Sequence, residues 1–532
     1  MAGHGLILAT STLLAAVFIA SCGRAEPTPR TPEPSASDAA PQPQPAPAIA
    51  NTPTFIPAVN ATSTLEVAET PVSSPDASST LPLTDALWAG EMAPEPGYTG
   101  SVVPWMSVRV RPGDNPDEDA WRLESGPWPS WLPPAASCTP QRLSGGWELS
   151  DCMEIPWDFT AFMSDEGGLE VAFQGTDFAV GGTLARIAPM DESPSTDNVT
   201  VKWRRQGEGI HTDIWADDGL VFAPRFDGVI EIINAEDGEI IGRAEGWNVV
   251  LDVKAKGGLL YAATAVPGLL VFDVSDPGAP ELIGTYEGFS ADGEIEGYTS
   301  FHNIFLSPDD RYVYVADYSN FPKTGLLIID VSDPTAPAKA GSFIIDTDTY
   351  DSNWHVAHDV NVVEIDGRLI AYLNYLSAGL WVLDVTDPAN VSALGSIVWD
   401  GNFSHSGWPF DLNGRLYYAH NSEGYDQHMT VLDVTDPANP TVVSHFATRE
   451  GISTHNVQVV DGIAYIAYYL DGLRVVDLRD PQMPVEIAHF DTVPEANERG
   501  LIQGAFGVRV MDGVVYVSDM ESGVYAFQVD IE

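Results

Sequence analysis

Beyond about residue 200 the chain is written in short apolar runs, each closed by turn residues. A representative stretch reads HNVQVVDG (455–462), IAYIAYYLDG (463–472), LRVVDLRDPQMP (473–484) and VEIAHF (485–490). The runs are rich in β-branched and aromatic residues, which fit the pleated, half-buried surface of a strand. Asp-Gly and Asp-Pro then break the run and preset the backbone for a turn. No amphipathic helical periodicity competes. Four such strands in succession, joined by tight turns, predict one antiparallel sheet.

The pattern recurs. Its most recognisable phrase is a strand, an Asp and a proline turn: LLVFDVSDPGAP (269–280), LLIIDVSDPTAP (326–337), LWVLDVTDPANV (380–391), MTVLDVTDPANP (429–440) and LRVVDLRDPQMP (473–484), the third placing Val391 where the others have proline. The marking residues Asp273, Asp330, Asp384, Asp433 and Asp477 lie 57, 54, 49 and 44 residues apart. That spacing fits propeller blades carrying insertions better than helical solenoid repeats. Degenerate copies lie at 212–242 and 506–529, which makes seven. The last copy stops after its third strand, whereas NVTVKWRRQGEG (198–209) has the pattern of a fourth strand lacking partners. The expected fold is therefore all-β: a seven-bladed β-propeller of four-stranded blades over 198–532, closed by its N-terminal strand so that no sheet edge stays open.

Three further segments precede it. Residues 85–197 hold Trp- and Pro-rich stretches such as WRLESGPWPSWLPP and then strand-like sequence, expected as a small β-rich module. Residues 22–84 are dominated by Pro, Ala, Ser and Thr, which favours extended conformers and cannot bury a core, so this part is expected to be a disordered tether. Residues 1–21 contain the apolar run LILATSTLLAAVFIAS, too short and too terminal to favour a membrane span over a signal peptide. The tetrad Ile19-Ala20-Ser21-Cys22 resembles the bacterial lipoprotein box, which implies acylation of Cys22. An exported, membrane-anchored location follows as the expectation, with contact to the membrane only through the lipid. In such a compartment Cys138 and Cys152 are expected to form a disulfide.

Charge narrows the partners. The formal net charge is −52, from 76 acidic and 24 basic residues. A nucleic acid needs Lys and Arg to displace its counterions, so nucleic-acid binding is excluded. The acidity serves either cationic partners or solubility, and solubility is the simpler use.

The LLIIDVSDPTAP-type phrase resembles the LVIVD repeat, and the copies together resemble the choice-of-anchor B group of exported propellers. More particular marks are Phe301-His302-Asn303, Ala357-His358-Asp359, His405-Ser406-Gly407-Trp408 and Thr454-His455-Asn456 opening successive blades, with AFGVRV and VVYVSDMESGVYAF closing the array. The resemblance implies export and a propeller over about 200–532. It implies no activity.

In a four-stranded blade the loop into the first strand lies on the same face as the loop joining strands two and three. That face receives the long segments 289–300, 318–325, 346–354, 421–429 and 492–503, whereas the other carries terse Asp-Gly and Asp-Pro turns. Long loops on a rigid scaffold commonly carry binding. His302, His358, His405 and His455 open the first strands of four consecutive blades and are expected near the axis at the loop-rich face. Neutral imidazoles suit Zn, Cu or Fe, so a transition-metal site is one use; hydrogen bonding between blades is the other. His355, Asp359, Asn303, Asn456 and Trp408 are additional candidates for ligand contact. Residues Asp346 to Asp351 loosely suggest Ca²⁺ but lack the glycine and closing glutamate of an EF-hand loop, so calcium is the weaker candidate.

No nucleophile elbow, metalloprotease helix, phosphate-cradling loop or Cys-x-x-Cys occurs, and no catalytic residue is assigned. The sequence favours a monomeric, non-enzymatic surface protein presenting one face to a protein, peptide or glycan partner. The competing reading is a metal-dependent exported oxidase or hydrolase centred on the axial histidines.

Overall fold

Seven four-stranded antiparallel sheets follow one another along the chain from Val199 onward. The computed structural model describes residues 86–94, strands between Trp105 and Arg186 together with Gly168 and Ile187, and residues 195–531 apart from 246–248, 266, 288–299, 318–323, 346–355, 400–401 and 493–500. The segments expected as signal peptide and tether, Cys22, Cys152, His355 and the acidic segment 346–351 lie outside these residues, as do most of the long connections. Cys138 ends the strand Ala135–Cys138. Among the described residues the only helical element is a 3₁₀ turn, Pro388–Asn390.

The first strands of the seven sheets are Trp215–Asp217, Val250–Lys256, Phe301–Leu306, Val360–Ile365, Ser404–Leu412, Val457–Val460 and Ala505–Met511. In the first six sheets, four consecutive strands pair in order. The seventh takes Ala505–Met511, Val514–Asp519 and Gly523–Val529, and its fourth strand is Val199–Arg205, paired antiparallel with Gly523–Val529. Each first strand packs beside the next, and Ala505–Met511 packs beside Trp215–Asp217.

Turn chemistry matches the sequence. At the hairpins between first and second strands, Asp366 and Gly367 have φ of 51° and 76°, and Asn413 and Gly414 have 56° and 82°. Positive φ at both positions is the two-residue turn whose twist suits a hairpin. The repeated Asp-x-x-Asp-Pro phrase makes two successive side-chain turns. Asp330 accepts the Ser332 N–H at 2.9 Å, and Asp333 accepts the Thr335 N–H at 3.0 Å. The equivalents Asp276, Asp387, Asp436 and Asp480 accept from Gly278, Ala389, Ala438 and Gln482.

The phrase also joins sheets. The proline carbonyl of each Asp-Pro turn lies against a glycine in the fourth strand of the preceding sheet: Pro277 on Gly242, Pro334 on Gly284, Pro388 on Gly341 and Pro437 on Gly395. A Cβ at any of these glycines would collide with that oxygen. At the next junction the serine Ser444 instead donates its hydroxyl to the Pro481 carbonyl at 2.6 Å.

The core is correspondingly divided. Phe222 and Ile232 of the first sheet pack with Val253 and Leu260 of the second. Val271 of the second, on the opposite face from Phe272, packs with Ile304 and Val315 of the third. The series continues sheet by sheet to Tyr465 with Val515, and then Val221 and Ile233 of the first sheet pack with Tyr516 and Val524 of the seventh. Burial on both faces explains why the third strands read as unbroken apolar runs.

Preceding these sheets, ten strands between Ala86 and Arg186 form one sheet, with Ala86–Glu91 between Trp105–Arg111 and Ala179–Arg186. Ala89 of this sheet is fully buried in the cluster formed by Ala419, Ile452 and Val457, and Ile187 packs on the same cluster.

Candidate functional site

The first strands begin with a local irregularity that sets the histidines. Phe301 pairs with Asp317 and Asn303 with Ala316, so His302 is the extra residue of a β-bulge. The same shift leaves His405 between Ser404 and Ser406, and Phe506 between Ala505 and Gly507. A bulge re-aims a side chain that regular alternation would place elsewhere. His358 and His455 stand just ahead of their strands, with N–H groups donated to the Asn374 and Ala467 carbonyls.

These residues form one continuous series of rings. Centroids of His302 and His358 are 4.1 Å apart, those of His358 and His405 4.0 Å, and those of His405 and His455 4.4 Å. Phe506 extends the series, 3.9 Å from His455. The structure thus brings together all four histidines read from the sequence. Two residues that the sequence reading did not single out complete the group. Glu423, from the connection after Arg415–Ser422, places Oε2 3.6 Å from His405 Nε2. Tyr469 donates its hydroxyl to Glu423 Oε1 at 2.5 Å, and its ring lies 4.8 Å from that of His455.

Burial sets the protonation states. Desolvation, reinforced by neighbouring imidazoles, holds His302 and His405 well below the usual histidine range. Burial pushes His455 down to about 3. Burial likewise raises the carboxyls of Glu423 and Asp359. The rings of His302, His405 and His455 are therefore neutral at physiological pH and present lone pairs. Their second nitrogens are partly committed: His358 Nδ1 is 3.0 Å from Asp359 Oδ1, and His455 Nδ1 donates to the Phe506 carbonyl at 2.5 Å. His405 is 1% exposed, and its Nδ1 has no hydrogen-bond partner. Two triads have ligand atoms within 4.8 Å of one another: His302, His358 and Asp359, and His358, His405 and Glu423. His455 enters neither.

The residue after each histidine has other work. Asn303 donates to Asp252 at 3.0 Å and accepts the Val360 N–H at 3.1 Å, while Asp252 accepts the Ile304 N–H. Asn456 donates to Asp213. Asn303 thus clasps neighbouring sheets, Asn456 ties the start of the sixth sheet to the segment ahead of the first, and Asp359 holds a histidine. Lys254, buried, pairs with Asp252 at 2.5 Å and Asp213 at 3.7 Å. Two residues further along the first strands, Trp408 meets Phe305 at 6.0 Å, and Arg509 lies 5.7 Å from the Trp408 ring and 3.6 Å from the Trp215 ring. Trp408 therefore belongs to the layer beneath the imidazoles. Tyr425 packs beside Gly451 and the Ile452 cluster.

The LVIVD repeat family matches the chain at residues 249–288, 306–344 and 451–492. A crystal structure of the computationally designed Ika8 protein is similar at 11% identity and a TM-score of 0.40, covering 61% of this chain and 98% of that one. No curated protein matches. Among the described residues the chain is all-β, with many four-stranded antiparallel sheets, and it carries LVIVD repeats in three places, an arrangement that fits a repeat-based β-propeller.

Proposed function

We propose that the chain is a seven-bladed β-propeller closed by Val199–Arg205, held outside the cell by a lipidated Cys22 and a Pro-rich tether, and that it binds its ligand at the axis. Closure is supported by the apolar cluster shared between the first and seventh sheets and by the pairing of Val199–Arg205 with Gly523–Val529. A strand from one end of the chain completing a sheet from the other leaves no open edge. The observation that carries the binding site is the convergence of four imidazoles and Glu423 where the first strands begin. Such a concentration of desolvated polar groups costs folding energy and is retained where it meets a ligand. His302 and Glu423 keep partial exposure, which gives access. The long connections 287–300, 318–324 and 344–359 end on the strands beside them. A protein, peptide or glycan partner offering a protruding group to this pocket fits that layout.

Peptide and glycan arrays probed with the intact chain and with the His302→Ala and His405→Ala variants test the site. Binding should disappear in both and survive Asp333→Ala at an Asp-Pro turn. Binding indifferent to the histidines, or lost in Asp333→Ala with the fold intact, would overturn the assignment.

A further inference from the structure

We infer that His358, His405 and Glu423 form a two-histidine, one-carboxylate centre for a divalent transition-metal ion, with coordination positions left open toward the axial pocket. The inference rests on the axial pocket being the working site and names what that site takes.

The first argument is geometric. His405 Nε2 and Glu423 Oε2 are 3.6 Å apart. That is too long for a hydrogen bond. It is close to the edge of a tetrahedron with metal bonds of about 2.0–2.1 Å, roughly 3.3 Å. With His358 the three donor atoms lie within 4.8 Å of one another, so a modest inward movement would bring them onto one ion. The alternative triad, His302 with His358 and Asp359, is poorer because His358 and Asp359 are already hydrogen-bonded to each other.

The second argument is the support around the donors. Metal-bound histidines typically donate their other N–H to a carboxylate, and metal-bound carboxylates are themselves hydrogen-bonded. Asp359 accepts from His358 Nδ1, leaving Nε2 as the acceptor of that ring. Tyr469 donates to Glu423 Oε1, whereas Oε2 is the oxygen 3.6 Å from His405 Nε2. The Tyr469 backbone has φ of 35°, a conformation costly for a bulky residue, and is tied by two hydrogen bonds to Ala505. Its position is therefore imposed by the fold. His405 completes the case: fully packed, with Nδ1 unpartnered, it has Glu423 Oε2 only 3.6 Å from its Nε2. A cation held between Nε2 and that carboxylate would offset the cost of burying both.

Two imidazoles and a carboxylate suit Zn²⁺ or Fe²⁺ and leave positions for water or an exogenous ligand. The rings of His302 and His455 border those positions.

The test uses the full chain without a polyhistidine tag, stripped and loaded anaerobically with Fe²⁺ alone, then exposed to nitric oxide. One iron per chain and a high-spin nitrosyl signal in electron paramagnetic resonance are expected, the signal reporting an open position. His405→Ala and Glu423→Gln should each weaken Fe²⁺ and Zn²⁺ binding on the order of tenfold or more, and Asp359→Asn should weaken it while retaining an altered nitrosyl signal. Glu423→Gln, the smaller change at a partly exposed residue, keeps the test valid if His405→Ala does not fold. Failure to take up stoichiometric metal, or affinity unchanged in Glu423→Gln, overturns the metal centre. If array binding still depends on His302 and His405 in metal-free protein, the pocket stands and the metal falls.

Discussion

Gly341 lies directly against the carbonyl oxygen of Pro388, the fourth strand of one sheet meeting the Asp-Pro turn of the next. Pro388 belongs to a rigid turn whose Asp387 side chain accepts the Ala389 N–H, so it has little room to yield. Gly341→Ala should therefore destabilise the protein by about 1–3 kcal/mol, the usual cost of overpacking. Ser444→Ala, at the equivalent junction, should cost only the hydrogen bond to Pro481, about 0.5–1.5 kcal/mol. Denaturation midpoints of the two variants check the difference; equal effects would mean that the junction is looser than it looks.

Lys254 offers a second test. Its ammonium is buried against Asp252 and Asp213, over the Trp215 ring. Asp252→Asn removes the nearer countercharge and should cost on the order of 3 kcal/mol, because the lysine is left buried and undercompensated. Adding Lys254→Met should restore most of the loss. A double-mutant cycle showing simple additivity would argue against the pairing.

Acid sensitivity should trace partly to histidine. Burial pushes His420 and His455 down to about 3. Between that value and the unfolded pKa of about 6.5 the unfolded chain binds protons that the folded chain refuses. Their contribution is thus full above about 6.5 and is lost as pH falls toward 3, by up to about 1.4 kcal/mol per pH unit for each ring. The raised carboxyls of Asp359 and Glu423 act in the opposite sense, so the informative quantity is the difference between variant and parent. His455→Gln should flatten the decline in melting temperature between pH 6.5 and 4. An unchanged slope would place that proton uptake elsewhere.

Much of this was legible in the sequence, for physical reasons. Asp-Gly and Asp-Pro are local devices, and Asp366, Asn413, Asp333 and Asp436 make the turns that their side chains and backbone preferences dictate. The four clustered histidines were legible because they share one position in a repeat. Glu423 and Tyr469 were not, since each occurs once and reaches the site from the connection between second and third strands of its sheet. The hydrogen bonds of Asn303 and Asn456 between sheets were not legible for a related reason: in sequence a clasp between sheets and a ligand candidate beside a histidine look alike. Gly242, Gly284, Gly341 and Gly395 were visible only as strand glycines, because the oxygen that requires them belongs to the following repeat.

Phe305, Trp408, Arg509 and Trp215 join the first strands of the third, fifth, seventh and first sheets in one layer of rings and charge. Under the proposed function, these aromatic rings and the guanidinium would give the imidazole site a floor, so that a ligand would come and go from the histidine side alone.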